Sequence, residues 1–211
     1  MMKSEEIIKV LDQYYPDARC ELNYKKDYEL LIATVLSAQC TDKRVNMVTE
    51  VLFNKYDLKG IEKSDIKEIE NIIRPCGSHT KKASYIKSIA TRLLKDYDGI
   101  VPNNREYLES LPGVGRKTCN VVLSNIYNVP AIAVDTHVSR VSVRLGLAKE
   151  NDSVTTIEQK LMKKFPKNKW SRLHHQLVLF GRYHCTARNP KCKECLLKEQ
   201  CKYYKSQIKG L

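Results

Sequence analysis

The eight residues Leu111-Pro112-Gly113-Val114-Gly115-Arg116-Lys117-Thr118 leave the backbone few choices. Gly113 and Gly115 flank one apolar residue, so the chain can bend through conformations that a Cβ would resist while Val114 anchors the bend in a core. Upstream, Asn103 followed by Glu106 has the spacing of a capping box and predicts a helix that ends at Pro112. Downstream, a second helix opens at about Arg116. The stretch therefore reads as helix, tight hairpin, helix. The free N–H groups and positive dipole end of the second helix point back over two glycines with no side chain in the way. That is a cradle for an anion, suited to phosphate.

Lys117 falls in the first turn of this second helix, where the helix dipole disfavours a cation and Arg116 crowds it. Such a placement points to a role other than stability: a phosphate contact, or a nucleophile. A protonated ammonium has no lone pair for attack, and a positive helix end with a neighbouring cation favours the neutral amine. Further on, Asp135 is placed to cap a helix over Thr136–Leu145, and a carboxylate there can also partner an amine or a developing positive charge.

The rest of the chain predicts helix after helix, punctuated by proline. Ser4 to Tyr15 carries Ile7, Ile8, Leu11 and Tyr15 on one face and stops at Pro16. Tyr28 to Ala38 is apolar nearly all round, the mark of a buried central helix. Val45, Val48, Leu52 and Tyr56 form a stripe. Asp65 with Glu68 predicts a capped helix bearing Ile66, Ile69, Ile72 and Ile73. Ala83 to Tyr97 repeats Ile86, Ile89, Ala90, Leu93, Leu94 and Tyr97 at helical period. Thr155 with Glu158 predicts another cap, ahead of Ile157, Leu161 and Phe165, and Trp170, Leu173, Leu177 and Val178 follow. Only Val129 to Val134 has the character of a strand; with no partner to pair with, it is expected to be an extended connector. The fold class is all-α.

Lys and Arg outnumber Asp and Glu by 37 to 24 in 211 residues, a formal charge of +13. That balance favours polyanions as partners, nucleic acid first and an acidic membrane surface second. No segment approaches a membrane span, and the N-terminus has the pattern of neither a secretory signal nor a transit peptide, so the reducing cytoplasm is the expected compartment. The eight cysteines are then expected as thiols or metal ligands rather than disulfides. Cys20, Cys40, Cys76 and Cys119 are scattered and read as small hydrophobes. Cys185, Cys192, Cys195 and Cys201 form a C-x6-C-x2-C-x5-C run, the pattern of a metal site. Spacing alone permits zinc or an iron–sulfur cluster, though one Cys-x2-Cys pair fits a paired-knuckle zinc ribbon poorly. Arg188 and Lys191, on the loop between the first two cysteines, suit phosphate contact.

The run Leu111–Thr118 followed by Ala133-Val134-Asp135-Thr136-His137-Val138-Ser139-Arg140-Val141 resembles the helix-hairpin-helix and Gly/Pro-Asp signature of the endonuclease III family of DNA glycosylases. The cysteine run, following Phe180-Gly181-Arg182-Tyr183, is similar to that family's [4Fe–4S] signature, and the likeness extends from about residue 5 to residue 205. The resemblance implies a helical barrel with the hairpin over residues 20–129 and a discontinuous [4Fe–4S] domain over 1–19 and 130–211. It implies Lys117 and Asp135 as a catalytic pair close in space, Gly113 and Gly115 as the DNA-contacting hairpin, and the four clustered cysteines as cluster ligands. Gln39, in Ser37-Ala38-Gln39-Cys40-Thr41-Asp42, inherits a role entering the duplex near the lesion. One stretch departs from the pattern. Where relatives usually place a bulky apolar residue and an aromatic, this chain has Gly77-Ser78-His79-Thr80-Lys81-Lys82-Ala83; Ser78 is too small to fill a gap in a base stack, so His79 is the residue expected to stack there.

The implied activity is that of a bifunctional DNA glycosylase with apurinic/apyrimidinic lyase activity. It would act as a monomer on duplex DNA containing oxidised pyrimidines or abasic sites. Two other readings stand beside it. A mismatch glycosylase of a related branch would use activated water; Lys117 argues against that branch, and the short tail after Cys201 against its adenine-specific members. A non-enzymatic DNA-binding or redox-sensing protein would keep hairpin and cluster without turnover.

Overall fold

The computed structural model describes residues 3–209, and among them there is no strand. Twelve α-helices follow in order: α1 (Ser4–Tyr14), α2 (Asp27–Leu36), α3 (Asp42–Lys55), α4 (Leu58–Lys63), α5 (Ile66–Ile73), α6 (His79–Tyr97), α7 (Arg105–Ser110), α8 (Arg116–Tyr127), α9 (Thr136–Arg144), α10 (Val154–Lys164), α11 (Trp170–Tyr183) and α12 (Lys202–Lys209). None of the described helices is long and apolar enough to cross a membrane. The chain divides into two compact units, Cys20–Tyr127 and the flanking segments Met1–Arg19 with Asn128–Leu211.

In the Cys20–Tyr127 unit, α2 is the centre. Every residue from Tyr28 to Leu36 is buried, and α3, α6 and α8 pack around it. Glu29, buried in the first turn, accepts from the backbone N–H of Lys25 at 2.6 Å and of Lys26 at 3.3 Å, which answers the free donors of that helix end. The isoleucines of α5 and α6 that repeat at helical period, Ile69, Ile73, Ile86 and Ile89, are fully buried where these two helices meet. In the other unit α10 and α12 each contact α9, and α11 lies against both α9 and α1. Ile7, Leu11, Val138, Val141, Leu161, Leu173, Leu177 and Phe180 fill its core. Gly181 allows the close crossing of α9 and α11, since a Cβ there would stand 2.8 Å from the Cβ of His137.

Several helix starts differ from expectation, each for a local reason. Asn104, not Asn103, caps α7 by accepting from Tyr107 N at 3.0 Å. Ser153, not Thr155, caps α10 through Thr156 N at 3.1 Å, and Glu158 is buried. Asp65 does cap α5, but Glu68 bonds Lys55 and Tyr56 on α3's end rather than closing a box. The helix α6 begins four residues before Ala83, at His79. The short helix α4 was not expected; Asp57 caps it through Gly60 N at 2.7 Å and only Leu58 and Ile61 are buried, too few to show a period. Residues 129–134 are extended without pairing, as expected, and four of them are buried.

Candidate functional site

The hairpin is fixed from several sides within its own unit. Arg92 of α6 donates to the carbonyl and the hydroxyl of Ser110, both at 2.9 Å, and Arg105 of α7 donates to Asn120 Oδ1 of α8 at 2.7 Å. Val114 is buried and its N–H donates to Leu111 O at 3.1 Å. Gly113 takes φ +78°, and a Cβ on it would stand 2.5 Å from Tyr85 Cδ2 and 3.2 Å from Val35 Cγ1. Two demands, a left-handed backbone and a close approach, thus coincide at Gly113. Gly115 is different: its φ is not in the left-handed region and a Cβ would meet nothing within 4 Å. Its bare Cα leaves the approach to the N-terminus of α8 open, which is the feature an incoming phosphate needs.

Lys117 is exposed in the first turn of α8, flanked by exposed Arg116 and buried Thr118. Its charge is felt at the Cys20 thiol, which burial raises above its ordinary value and Lys117 draws down. Asp135 belongs to the other unit, where it caps α9 with Oδ1 accepting from Val138 N at 2.8 Å. It is half-buried. Next to it His137 is held below its ordinary value, by burial first and by the neighbouring arginines Arg140 and Arg182 after it, against the opposing pull of Asp135.

Gln39 is exposed in the turn after α2 with φ +56°, and Ser78 is exposed at the start of α6 with φ +47°. Non-glycine residues in this region are uncommon and strained by about 1–3 kcal/mol each, a cost that concentrates at functional sites. His79 is half-buried in the first turn of α6, its Nδ1 3.5 Å from Thr80 Oγ1. Between these two turns lies Lys82, which sequence reading passed over. It is buried, and its Nζ donates to Leu36 O at 3.0 Å, Ala38 O at 2.8 Å and Cys76 O at 2.8 Å.

Cys185, Cys192, Cys195 and Cys201 line one cavity together with Leu145 and Phe180. Burial pushes the Cys195 thiol up to about 11, and the other three cysteines push it further the same way; burial followed by Cys185 and Cys201 raises Cys192 too. Thiols held up in this way, as Cys192 and Cys195 are, become thiolates readily only beside a cationic metal. Among the described residues no group of three or more His, Cys, Asp or Glu is placed to hold a metal ion. Arg144 of α9 braces this segment, donating to Cys185 Sγ at 3.4 Å, Thr186 O at 2.7 Å and Ala187 O at 3.1 Å. Arg140 donates to Cys185 O at 3.2 Å and Gly181 O at 2.6 Å. From α1, Tyr14 OH donates to Glu194 O at 3.2 Å and accepts from Leu196 N at 3.1 Å. Arg188 and Lys191 are exposed on the loop so braced.

Residues 32–167 match the family described as HhH-GPD superfamily base excision DNA repair protein. Endonuclease III of Bacillus subtilis (strain 168) is 48% identical over 202 residues, covering 93% of this chain and 91% of that protein. The chain belongs to the endonuclease III family. Endonuclease III of Synechocystis sp. (strain ATCC 27184 / PCC 6803 / Kazusa) is 43% identical over 201 residues, 94% of this chain and 91% of that one. A trapped endonuclease III–DNA covalent intermediate superimposes with a TM-score of 0.92 at 47% identity, over 99% of this chain and 100% of that one.

Within this endonuclease III family member, the residues missed from sequence are those that act by tying main chain together. Lys82 had one visible signal: it precedes Ile86 by four positions and Ile89 by seven, so a cation occupies the apolar stripe of α6. Arg140 and Arg144 had no such signal, since arginines four apart on an amphipathic helix read as a solvated face.

Proposed function

We propose that this chain is a bifunctional DNA glycosylase with apurinic/apyrimidinic lyase activity in base excision repair, acting as a monomer on oxidised pyrimidines and abasic sites in duplex DNA. The observation that carries the reading is Lys117: an exposed amine one residue past an unobstructed helix N-terminus, in a chain closely similar to one trapped covalently on DNA. A covalent protein–DNA intermediate requires a nucleophile, and Lys117 supplies one next to a phosphate cradle. A water-activating mismatch glycosylase has no use for that amine.

The amides of the hairpin and of the first turn of α8 hold phosphate, with Arg188 and Lys191 adding cationic contacts. A base within a stacked duplex is out of reach, so the damaged nucleotide is extruded while Gln39 and His79 occupy the gap; extrusion costs least where the base already stacks or pairs poorly. The neutral Lys117 amine attacks the sugar C1′. The N-glycosidic bond breaks, the base leaves with the bonding pair, and loss of the amine proton with ring opening gives an imine between Nζ and C1′. Removal of a 2′ proton then drives β-elimination: the C3′–O bond breaks, the 3′ phosphate leaves, and hydrolysis of the imine frees Lys117. Asp135 stabilises positive charge on the sugar and accepts the proton that the amine sheds.

Cys185, Cys192, Cys195 and Cys201 would hold a [4Fe–4S] cluster. Bound there, it supplies a cross-link that closes the Arg188–Lys191 loop, and no step above needs electron transfer. The test is a panel of duplexes, each with one oxidised pyrimidine, one mismatch or one abasic site, incubated with and without borohydride. Base release with strand cleavage and covalent trapping on the pyrimidine lesions and abasic sites is expected. Base release without trapping would turn the assignment to the water mechanism, and binding with no turnover on any duplex to a non-enzymatic protein.

A further inference from the structure

Three acceptors for one buried lysine is an uncommon arrangement, because an ammonium withdrawn from water costs several kcal/mol unless each N–H is answered. At Lys82 each one is. The ammonium has three donors and takes Leu36 O, Ala38 O and Cys76 O. Two of these carbonyls close α2, at its negative dipole end, and the third closes the short 3-10 turn Arg74–Cys76. Gln39 follows the first pair directly, and Gly77, Ser78 and His79 follow the third. The same two turns also sense each other through their thiols, since burial first and then Cys40 push the Cys76 thiol up to about 12. A methionine or leucine in this place would fill the space, yet leave the buried carbonyls of Leu36 and Cys76 without this donor and the turns unlinked.

We propose that Lys82 is a positioning residue that fixes the Gln39 turn and the Ser78–His79 turn at one separation, so that the two enter an opened base stack together. The inference rests on the proposed function, in which these turns occupy the gap left by the extruded nucleotide. The strained residues stand one on each side of the anchor: Gln39 at φ +56° and Ser78 at φ +47° keep those conformations only where surrounding bonds over-determine them. Lys82 supplies such bonds to both. Its own Nζ is buried and fully engaged with protein, so it does not itself meet DNA. With Ser78 too short to replace a base, placement rather than bulk decides whether Gln39 and His79 reach the gap.

The test uses the full-length protein with its metal, in single-turnover assays on two duplexes of one sequence, containing thymine glycol or a preformed abasic site. Lys82→Met should slow release of the intact lesion base about tenfold or more and cleavage of the abasic duplex less than about threefold, since no base has to be displaced there. In the double variant Gln39→Ala/His79→Ala, adding Lys82→Met should cost less than about twofold further, because its targets are gone. Lys82→Arg keeps the cation with a different donor fork; it should show the same substrate asymmetry to a smaller degree, and it carries the test if Lys82→Met does not fold. Equal loss on both duplexes, or a further tenfold loss in the double variant, would assign Lys82 to general stability and overturn the inference. Wild-type protein inactive on both duplexes would overturn the proposed function, and this inference with it.

Discussion

The hairpin at Leu111–Thr118 and the cysteine segment at Cys185–Cys201 are both poor in regular structure, and they are held by opposite means. The hairpin is held by its own chain: a left-handed glycine against Tyr85, a buried valine, and arginines from α6 and α7 that clamp its two flanks. The cysteine segment consists of short 3-10 turns whose main chain hangs on Arg140, Arg144 and Tyr14, around a cavity lined by four cysteines, two of which burial holds as thiols. A site of the first kind is complete when the polypeptide folds. In the proposed function a site of the second kind is complete only with its cluster, and the basic loop it carries inherits that dependence.

Four results would break or sharpen this contrast. The largest effect is expected at the cysteines. Purified protein should be yellow-brown with about four irons and four sulfides per chain, and Cys195→Ser should lose soluble, folded protein before any effect on chemistry can be read. Colourless protein with one zinc per chain would contradict the cluster.

Gly113→Ala comes next. It combines a left-handed backbone with a 2.5 Å clash and should cost about 2–4 kcal/mol in chemical denaturation. Gly115→Ala, with open space around the added methyl, should cost less than about 0.5 kcal/mol while weakening duplex binding. Equal stability losses would mean that the hairpin is not self-supporting in the way described.

A third effect concerns acid and is confined to the cysteine-bearing unit. Burial pushes His175 of α11 down to about 4 from 6.5. The folded state holds it neutral where the unfolded state binds a proton, so its contribution to stability is present above about 6.5 and is lost as pH falls through that window toward about 4. Wild-type denaturation midpoints should fall across this range, and the difference from His175→Gln should shrink with the pH. A difference that stays constant would remove His175 from the acid response. The smallest effect is electrostatic: Arg188→Ala and Lys191→Ala should each reduce the salt dependence of duplex binding by about one ion, and an unchanged slope would take that residue out of phosphate contact.

The same contrast explains what the sequence could reveal. The hairpin is legible because its causes are local: glycines, a proline and one apolar residue within eight positions. The α2 and α6 stripes are legible because burial repeats at helical period. Cap positions slipped by one or two residues at Asn104 and Ser153 because several neighbouring polar side chains have the chemistry of a cap and tertiary packing selects one. The partners of the braces were not legible, even where a cation in the α6 stripe marked Lys82 itself. Lys82 meets main chain 46 residues earlier, and Arg144 meets carbonyls 42 and 43 residues later, distances over which no local pattern carries information. The strain at Gln39 and Ser78 likewise has no signature in residue type, since neither is glycine.

The central claim is that Lys117 is the nucleophile, and borohydride tests it most directly. Wild-type protein mixed with an abasic duplex and reduced should give a covalent adduct whose tryptic peptide carries the sugar remnant on Lys117. Lys117→Gln should abolish both the adduct and strand cleavage while keeping duplex affinity within a few-fold, because one cation is a modest part of a multi-contact interface. Asp135→Asn should still trap, more slowly, since the amine remains without its carboxylate. An adduct formed by Lys117→Gln at the wild-type rate would show that another amine does the chemistry.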